Sequence, residues 1–178
     1  MKKLQLLIVF GMLCIFGSLD ASAQSLSKKF SFGIGLEGGL PTGDAKDAYN
    51  LAGGLTLRLA YQLGDGFATL TSGGIAFIPE NLDGGDDMKV GLLIPVRAGY
   101  KYIIKDRFFV MGELGYGSFR QYYADENDEL ASVSDGGFLF APSAGVQFNV
   151  LEIGLRYESV SLPGGSLSSV GLRLGFNF

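Results

Sequence analysis

The sequence contains no histidine and no tryptophan, and only one cysteine, Cys14. Without an imidazole, a Ser-His-Asp arrangement or a histidine-assisted deacylation has no general base. Zinc loses its commonest ligands too, since Cys14 sits in an amino-terminal apolar run with the look of a removable segment. Beyond that run there is no uninterrupted apolar segment of about 20 residues, the length a membrane helix needs, although the mean hydropathy is positive. The hydrophobicity is therefore spread along the chain in another form.

The amino-terminal run has the layout of a secretory signal peptide. Met1-Lys2-Lys3 is positive, Leu4 to Gly17 is apolar apart from Gln5, and Ala21-Ser22-Ala23 supplies a cleavage site. This divides the chain into residues 1–23, a signal peptide cut after Ala23, and residues 24–178, one domain by length. Cys14 follows Leu13 rather than a small residue, which argues against a lipid anchor. Removing Lys2, Lys3 and Asp20 leaves the exported product one unit more acidic than the −4 of the full chain.

What the chain has in quantity is glycine, 28 residues, with 14 Phe and 8 Tyr, a composition that suits many closely approaching strands. Apolar residues recur with period two, which puts them on one face of a strand. In the last segment Val170, Leu172, Leu174, Phe176 and Phe178 alternate with Gly171, Arg173, Gly175 and Asn177. Before it, Leu151, Ile153, Leu155 and Tyr157 alternate with Glu152, Gly154, Arg156 and Glu158. Segments beginning at Phe30, Leu51, Phe67, Val90, Phe108 and Phe138 follow the same rule. Residues 67–78 follow it weakly, with Phe67, Ile75 and Phe77 favouring the apolar face. The expectation is eight strands of about ten residues each.

The connections alternate as well. Gly64-Asp65-Gly66, Lys105-Asp106 and Asn149-Val150 read as tight hairpin turns. Pro41 to Asn50, Pro79 to Asp87, Gln121 to Asp135 and Ser161 to Ser166 read as longer polar loops. Four long loops thus fall at one end, and three short turns with both termini of the exported domain at the other. Pro95 and Pro142 sit inside strands, where a closed sheet has no free edge to make a missing N–H harmless; a local bulge is one way to absorb each, and the pattern itself does not explain them.

Charges occupy one face only: Glu37, Arg58, Arg97, Lys101, Glu113, Glu152, Arg156, Glu158 and Arg173. On the opposite face aromatics gather at both strand ends, with Phe30, Tyr61, Phe67, Tyr100, Phe108 and Phe176 toward the short turns and Phe77, Tyr116, Phe138 and Tyr157 toward the loops. Two aromatic girdles flanking an apolar band suit a bilayer. A closed barrel also pairs every backbone group that lipid cannot. The fold class expected is all-β, an eight-stranded antiparallel up-and-down transmembrane β-barrel, its charged face lining a polar lumen.

The signal peptide, the eight segments and the ending GLRLGFNF resemble the small outer-membrane β-barrel family of Gram-negative bacteria, the OmpA/OmpX-like or porin-like barrels. Gly35 to Asp44, GLEGGLPTGD, also resembles the first hairpins of these barrels. The resemblance implies outer-membrane localisation and contact with outer-membrane lipid and lipopolysaccharide. It further implies that Leu174, Phe176 and Phe178 form an assembly signal read by the outer-membrane assembly machinery.

Two functions follow as expectations: a structural or surface-interaction barrel whose lumen is plugged by ion pairs, or a narrow porin-like channel for ions or small solutes. An enzyme is not expected, because Glu152 and Glu158, the carboxylates best placed for glycoside chemistry, read as lumen residues. No cofactor is implied. Acidic loops around Asp44, Asp83 to Asp87 and Asp125 to Glu129 offer a place for an extracellular ligand, but ENLDGGDD and ADENDEL lack EF-hand spacing. An acidic exported chain also lacks the basic footprint of a nucleic-acid binder.

Overall fold

The computed structural model describes residues 29–79, 90–124 and 130–178. Among them eight strands run in chain order: β1 Phe30–Thr42, β2 Leu51–Leu63, β3 Gly66–Ile78, β4 Val90–Ile104, β5 Phe108–Ala124, β6 Leu130–Phe148, β7 Leu151–Leu162 and β8 Gly165–Asn177. Each pairs antiparallel with its sequence neighbours, and β8 returns to β1, so the sheet closes as a barrel. Register in the strands other than β3 rests on period-two patterning, since a one-residue slip would turn each side chain to the wrong face. The last residue takes part in it: Phe178 N–H donates to the Phe32 carbonyl at 2.7 Å, and Phe32 N–H donates to the Phe178 carbonyl at 3.0 Å.

The strands are longer than ten residues, from 12 in β7 to 19 in β6. Much of the extra length comes from the stretch read as a loop from Gln121 to Asp135, where β5 and β6 stay paired out to Ala124 and Leu130. Backbone pairing prevails over the polar composition there, because the composition does not by itself forbid a ladder. The stretch from Ser161 to Ser166 is likewise no long loop: Leu162 pairs with Gly165, leaving a two-residue turn. Between Thr42 and β2 a short 3₁₀ helix, Gly43–Asp47, fills part of the first connection. The Pro79 to Asp87 connection lies mostly outside the described residues.

The tight turns at the other end are as read. Lys105, Asp106 and Asn149 take positive φ of 50°, 61° and 48°, and Gly64 one of 60°, the left-handed conformations that short hairpin turns require.

Neither proline introduces a bulge. Register is unchanged across both, but the β3–β4 ladder is interrupted between the pairs Ser72↔Val96 and Ile75↔Leu93, and the β6–β7 ladder between Phe140↔Ser159 and Ser143↔Arg156. Pro95 and Pro142 each remain paired on their other side, with Gly117 and Gly112. A missing N–H thus removes local ladder bonds toward one neighbour, a smaller disturbance than inserting a residue.

Facing follows the alternation except in β3. Phe30, Tyr61, Tyr100, Phe108, Tyr116, Phe138 and Phe176 are exposed on the outer surface among Leu36, Leu55, Leu114 and Leu172. Phe77 and Ile75, read as outward, are instead buried at 1% and 6% exposure. Their strand also turns Thr69 and Thr71 inward, and Phe67 shares that parity, facing the interior beside Arg58 and Lys101. Large apolar side chains won on local hydrophobicity in the sequence; in the barrel, parity with the buried threonines decides.

Candidate functional site in the barrel lumen

The interior is built in two layers. Toward the short turns and through the middle lie the nine charged residues, contributed by β1, β2, β4, β5, β7 and β8. Toward the loop end the interior is apolar, with Ile75, Phe77, Leu93, Phe119, Leu139, Val160 and Leu167 in one buried cluster.

In the charged layer Glu37 Oε1 accepts from Arg156 Nη1 at 2.5 Å and from the Thr56 hydroxyl at 2.9 Å, with Arg173 Nε 3.6 Å and Arg97 Nη2 3.7 Å away. Glu113 Oε2 lies 3.3 Å from Arg156 Nη2 and 3.9 Å from Arg97 Nε. Glu158 pairs with Arg97. One level nearer the short turns, Glu152 accepts from Arg58 Nη1 at 2.8 Å, Arg173 Nη1 at 2.9 Å and Lys101 Nζ at 2.5 Å. Thr71 joins the levels: its hydroxyl donates to Glu113 Oε1 at 2.6 Å and accepts from Arg58 Nε at 3.2 Å. Alternation already puts Thr56 on the inner face, two positions from Arg58, whereas Thr71 lies in the weakly patterned β3 and could not be located that way.

Such contacts link strands far apart in the barrel, as a lumen only wide enough for side chains requires. Long Arg side chains cross it because small residues open the way. A Cβ on Gly35 would stand 2.5 Å from the Arg173 guanidinium.

The apolar layer is closed from the loop side by Tyr49, which the sequence reading did not single out. Its ring meets Phe77 and Phe119 edge-on at 5.6 and 6.2 Å, and those two meet at 6.1 Å with an interplanar angle of 88°. Edge-to-face stacking at these separations is favourable. The Tyr49 hydroxyl accepts from Gln121 Nε2 at 2.9 Å, and burial pushes its phenol up. The 3₁₀ helix carrying Tyr49 into place is tied to β8 by Asp44, whose carboxylate accepts from the backbone N–H and the hydroxyl of Ser166, both at 3.2 Å.

Empty space inside is small and divided. A cavity of about 20 Å³ touches Glu37, Arg156 and Glu158, and one of about 30 Å³ touches Arg58, Lys101 and Gln147. Among the described residues no group of three His, Cys, Asp or Glu is placed to hold a metal ion. Leu174 and Phe176 alternate with Arg173 and Gly175 on β8, their side chains on the outer surface with that of Phe178. Glu80, Asp83, Asp86, Asp87 and Asp125 to Glu129 lie outside the described residues.

The family model described as outer membrane protein beta-barrel domain matches residues 11–178. No curated protein matches the chain. Among solved structures it is similar to Ail, the attachment invasion locus protein of Yersinia pestis, in complex with the heparin analogue sucrose octasulfate. That match has 17% identity and a TM-score of 0.58, covering 84% of this chain and 97% of the other. It is also similar to the N-terminal beta-barrel domain of Pseudomonas aeruginosa OprF, at 16% identity, TM-score 0.55, and 83% and 97% coverage. Neisserial surface protein A gives 11% identity, TM-score 0.53, and 83% and 95% coverage. At these identities the likeness is one of fold.

Proposed function

The chain belongs to the outer membrane protein beta-barrel domain family, and from that premise we propose that it is a plugged, non-conducting barrel that works by presenting its loops at the cell surface. The observation that carries this reading is the doubly closed lumen. An ion-pair layer spans the barrel from Glu37 and Arg97 to Glu152 and Arg58, and the Tyr49, Phe77 and Phe119 rings pack above it. A passing ion would have to break buried pairs, leaving uncompensated charge, and then cross an apolar layer.

In this reading residues 1–23 export the chain, Leu174, Phe176 and Phe178 are recognised during assembly, and the outer surface contacts lipid and lipopolysaccharide. The loop end would carry the interaction. Ail is described with a sulfated sugar, a polyanion, whereas among the described residues of this end Asp44, Asp47 and Asp135 outnumber Lys46 and Arg120. A ligand here is expected to be cationic or neutral. The absence of histidine agrees with a role that is not enzymatic.

Single-channel recording of the purified protein in planar bilayers tests the proposal. A silent bilayer is expected, with no swelling of protein-containing liposomes in small sugars. Steady conductance that Arg97→Ala or Glu113→Ala alters would overturn it in favour of the narrow channel.

A further inference from the structure

The nine lumen charges do not cancel, and the imbalance has a place. Among the described residues, the acids paired with Arg58, Arg97, Lys101, Arg156 and Arg173 are Glu37, Glu113, Glu152 and Glu158. Glu37, Glu113 and Glu158 are met mainly by Arg97 and Arg156. Nearer the short turns Glu152 serves Arg58, Lys101 and Arg173, the last of which also lies 3.6 Å from Glu37 Oε1. Even with Arg173 shared between Glu152 and Glu37, Arg58 and Lys101 have Glu152 as their one carboxylate partner among the described residues, which leaves that level positive where Arg58, Lys101 and Arg173 are all nearly inaccessible to solvent. Uncompensated charge in such surroundings is strongly unfavourable.

Beside this level lies the cavity of about 30 Å³, walled by Ser31, Arg58, Lys101, Gln147 and Asn177 with Phe67 and Ala60. Roughly 10–15 Å³ suffices for a water molecule, so the space admits one small ion. Its polar residues supply donors, and Phe67 and Ala60 close the remainder. Arg58 Nη2, on a side chain 2% exposed, has no hydrogen-bond partner among the described residues. Lys101 Nζ lies 4.5 Å from the Phe109 ring centroid and has a third proton beyond its hydrogen bonds to Glu152 and to the Gln147 Oε1 2.6 Å away. The Ser31 hydroxyl and the second amide protons of Asn177 and Gln147, whose nitrogens also donate at 3.5 Å to Glu152 and to the Asn149 carbonyl, complete the set.

We propose that this cavity binds one small monovalent inorganic anion of the chloride class, held by Arg58 and Lys101, which balances the surplus positive charge around Glu152. The site is too small for a phosphate ester or an organic acid. It lies at the short-turn end, away from the acidic loops, and does not depend on whether the barrel conducts.

Thermal unfolding of the folded barrel in detergent micelles tests this, in sodium chloride against sodium gluconate at equal ionic strength so that screening is held constant. The melting temperature is expected to be higher in chloride and to saturate with its concentration, and the ³⁵Cl resonance to broaden in the presence of protein until bromide displaces the ion. Arg58→Gln should weaken the apparent chloride affinity at least about tenfold, as expected for losing a charge-assisted hydrogen bond. Gln147→Glu places a carboxylate beside Lys101 in the cavity itself, so it should abolish the chloride dependence while raising the melting temperature in gluconate. If Arg58→Gln does not fold, Gln147→Glu decides alone. Identical melting in the two salts with an unbroadened chloride line, or a Gln147→Glu barrel that still responds to chloride, would overturn the proposal.

Discussion

Glu152 Oε1 accepts a hydrogen bond from Arg58 Nη1 at 2.8 Å across the inside of the barrel, joining β7 to β2, two strands that share no ladder. The pair acts as a crossbrace, and because Glu152 also holds Arg173 and Lys101, its two ends are not equivalent. Removing the acid leaves Arg58 and Lys101 without a carboxylate and Arg173 with Glu37 alone, whereas removing Arg58 leaves the acid two partners.

Glu152→Gln is therefore expected to destabilise by about 3–5 kcal/mol, the usual effect of breaking a buried pair from the side that leaves charge uncompensated. Arg58→Gln should do less. Urea unfolding of the barrel in lipid vesicles measures both, and a smaller loss for Glu152→Gln than for Arg58→Gln would contradict the crossbrace.

Phe77→Ala removes one of three mutually edge-on rings from the loop-side layer. A loss of about 3–5 kcal/mol is expected for truncating a buried Phe, without conductance, because the charged layer beneath still closes the lumen. Ion flow through this variant in planar bilayers would show that the apolar layer is the sole barrier.

Gly35 and Gly38 lie on the same strand and separate two explanations for its glycines. A Cβ at Gly35 meets the Arg173 guanidinium at 2.5 Å, whereas one at Gly38 meets nothing within 4 Å. Gly35→Ala should displace Arg173 and lower stability by about 1–3 kcal/mol, in the range of overpacking, while Gly38→Ala should stay within about 0.5 kcal/mol of the parent. Equal effects on the urea midpoint would mean that glycine serves flexibility here and not clearance.

Phe178 has a backbone role and a side-chain role. Its N–H and carbonyl both pair with Phe32, two bonds worth together about 1–3 kcal/mol, while its ring stands outside the barrel. Phe178→Ala keeps the bonds and loses the ring. It should refold in detergent nearly as well as the parent yet reach the outer membrane at reduced level, seen as loss of the heat-modifiable band in membrane fractions. Normal membrane levels would argue that strand closure, not the aromatic terminus, is what assembly requires.

The strands of the barrel could be read in advance because period-two alternation is a local property: in β7 and β8 each residue's neighbours two positions away already state which face it shares. The same logic failed in β3, where Ala68, Thr69 and Thr71 give almost no amphipathic contrast and the large Phe67, Ile75 and Phe77 were assigned outward. Their inward facing follows from register, since Thr71 pairs with Arg58 on one side and Arg97 on the other. Tyr49 was illegible for a different reason. It lies in a connection, and nothing along the chain says that a connection folds back over the lumen.

The sequence by itself determined the all-β architecture, the strand order and the separation of a charged face from an apolar one, because each depends on residues within a few positions of one another. Tertiary structure decided which acid meets which base, that the charges around Glu152 do not balance, and that the loop-side half of the lumen is sealed by aromatic rings. Those relationships join residues as distant as Glu37 and Arg156, 119 positions apart, and they come into being only when β8 closes onto β1.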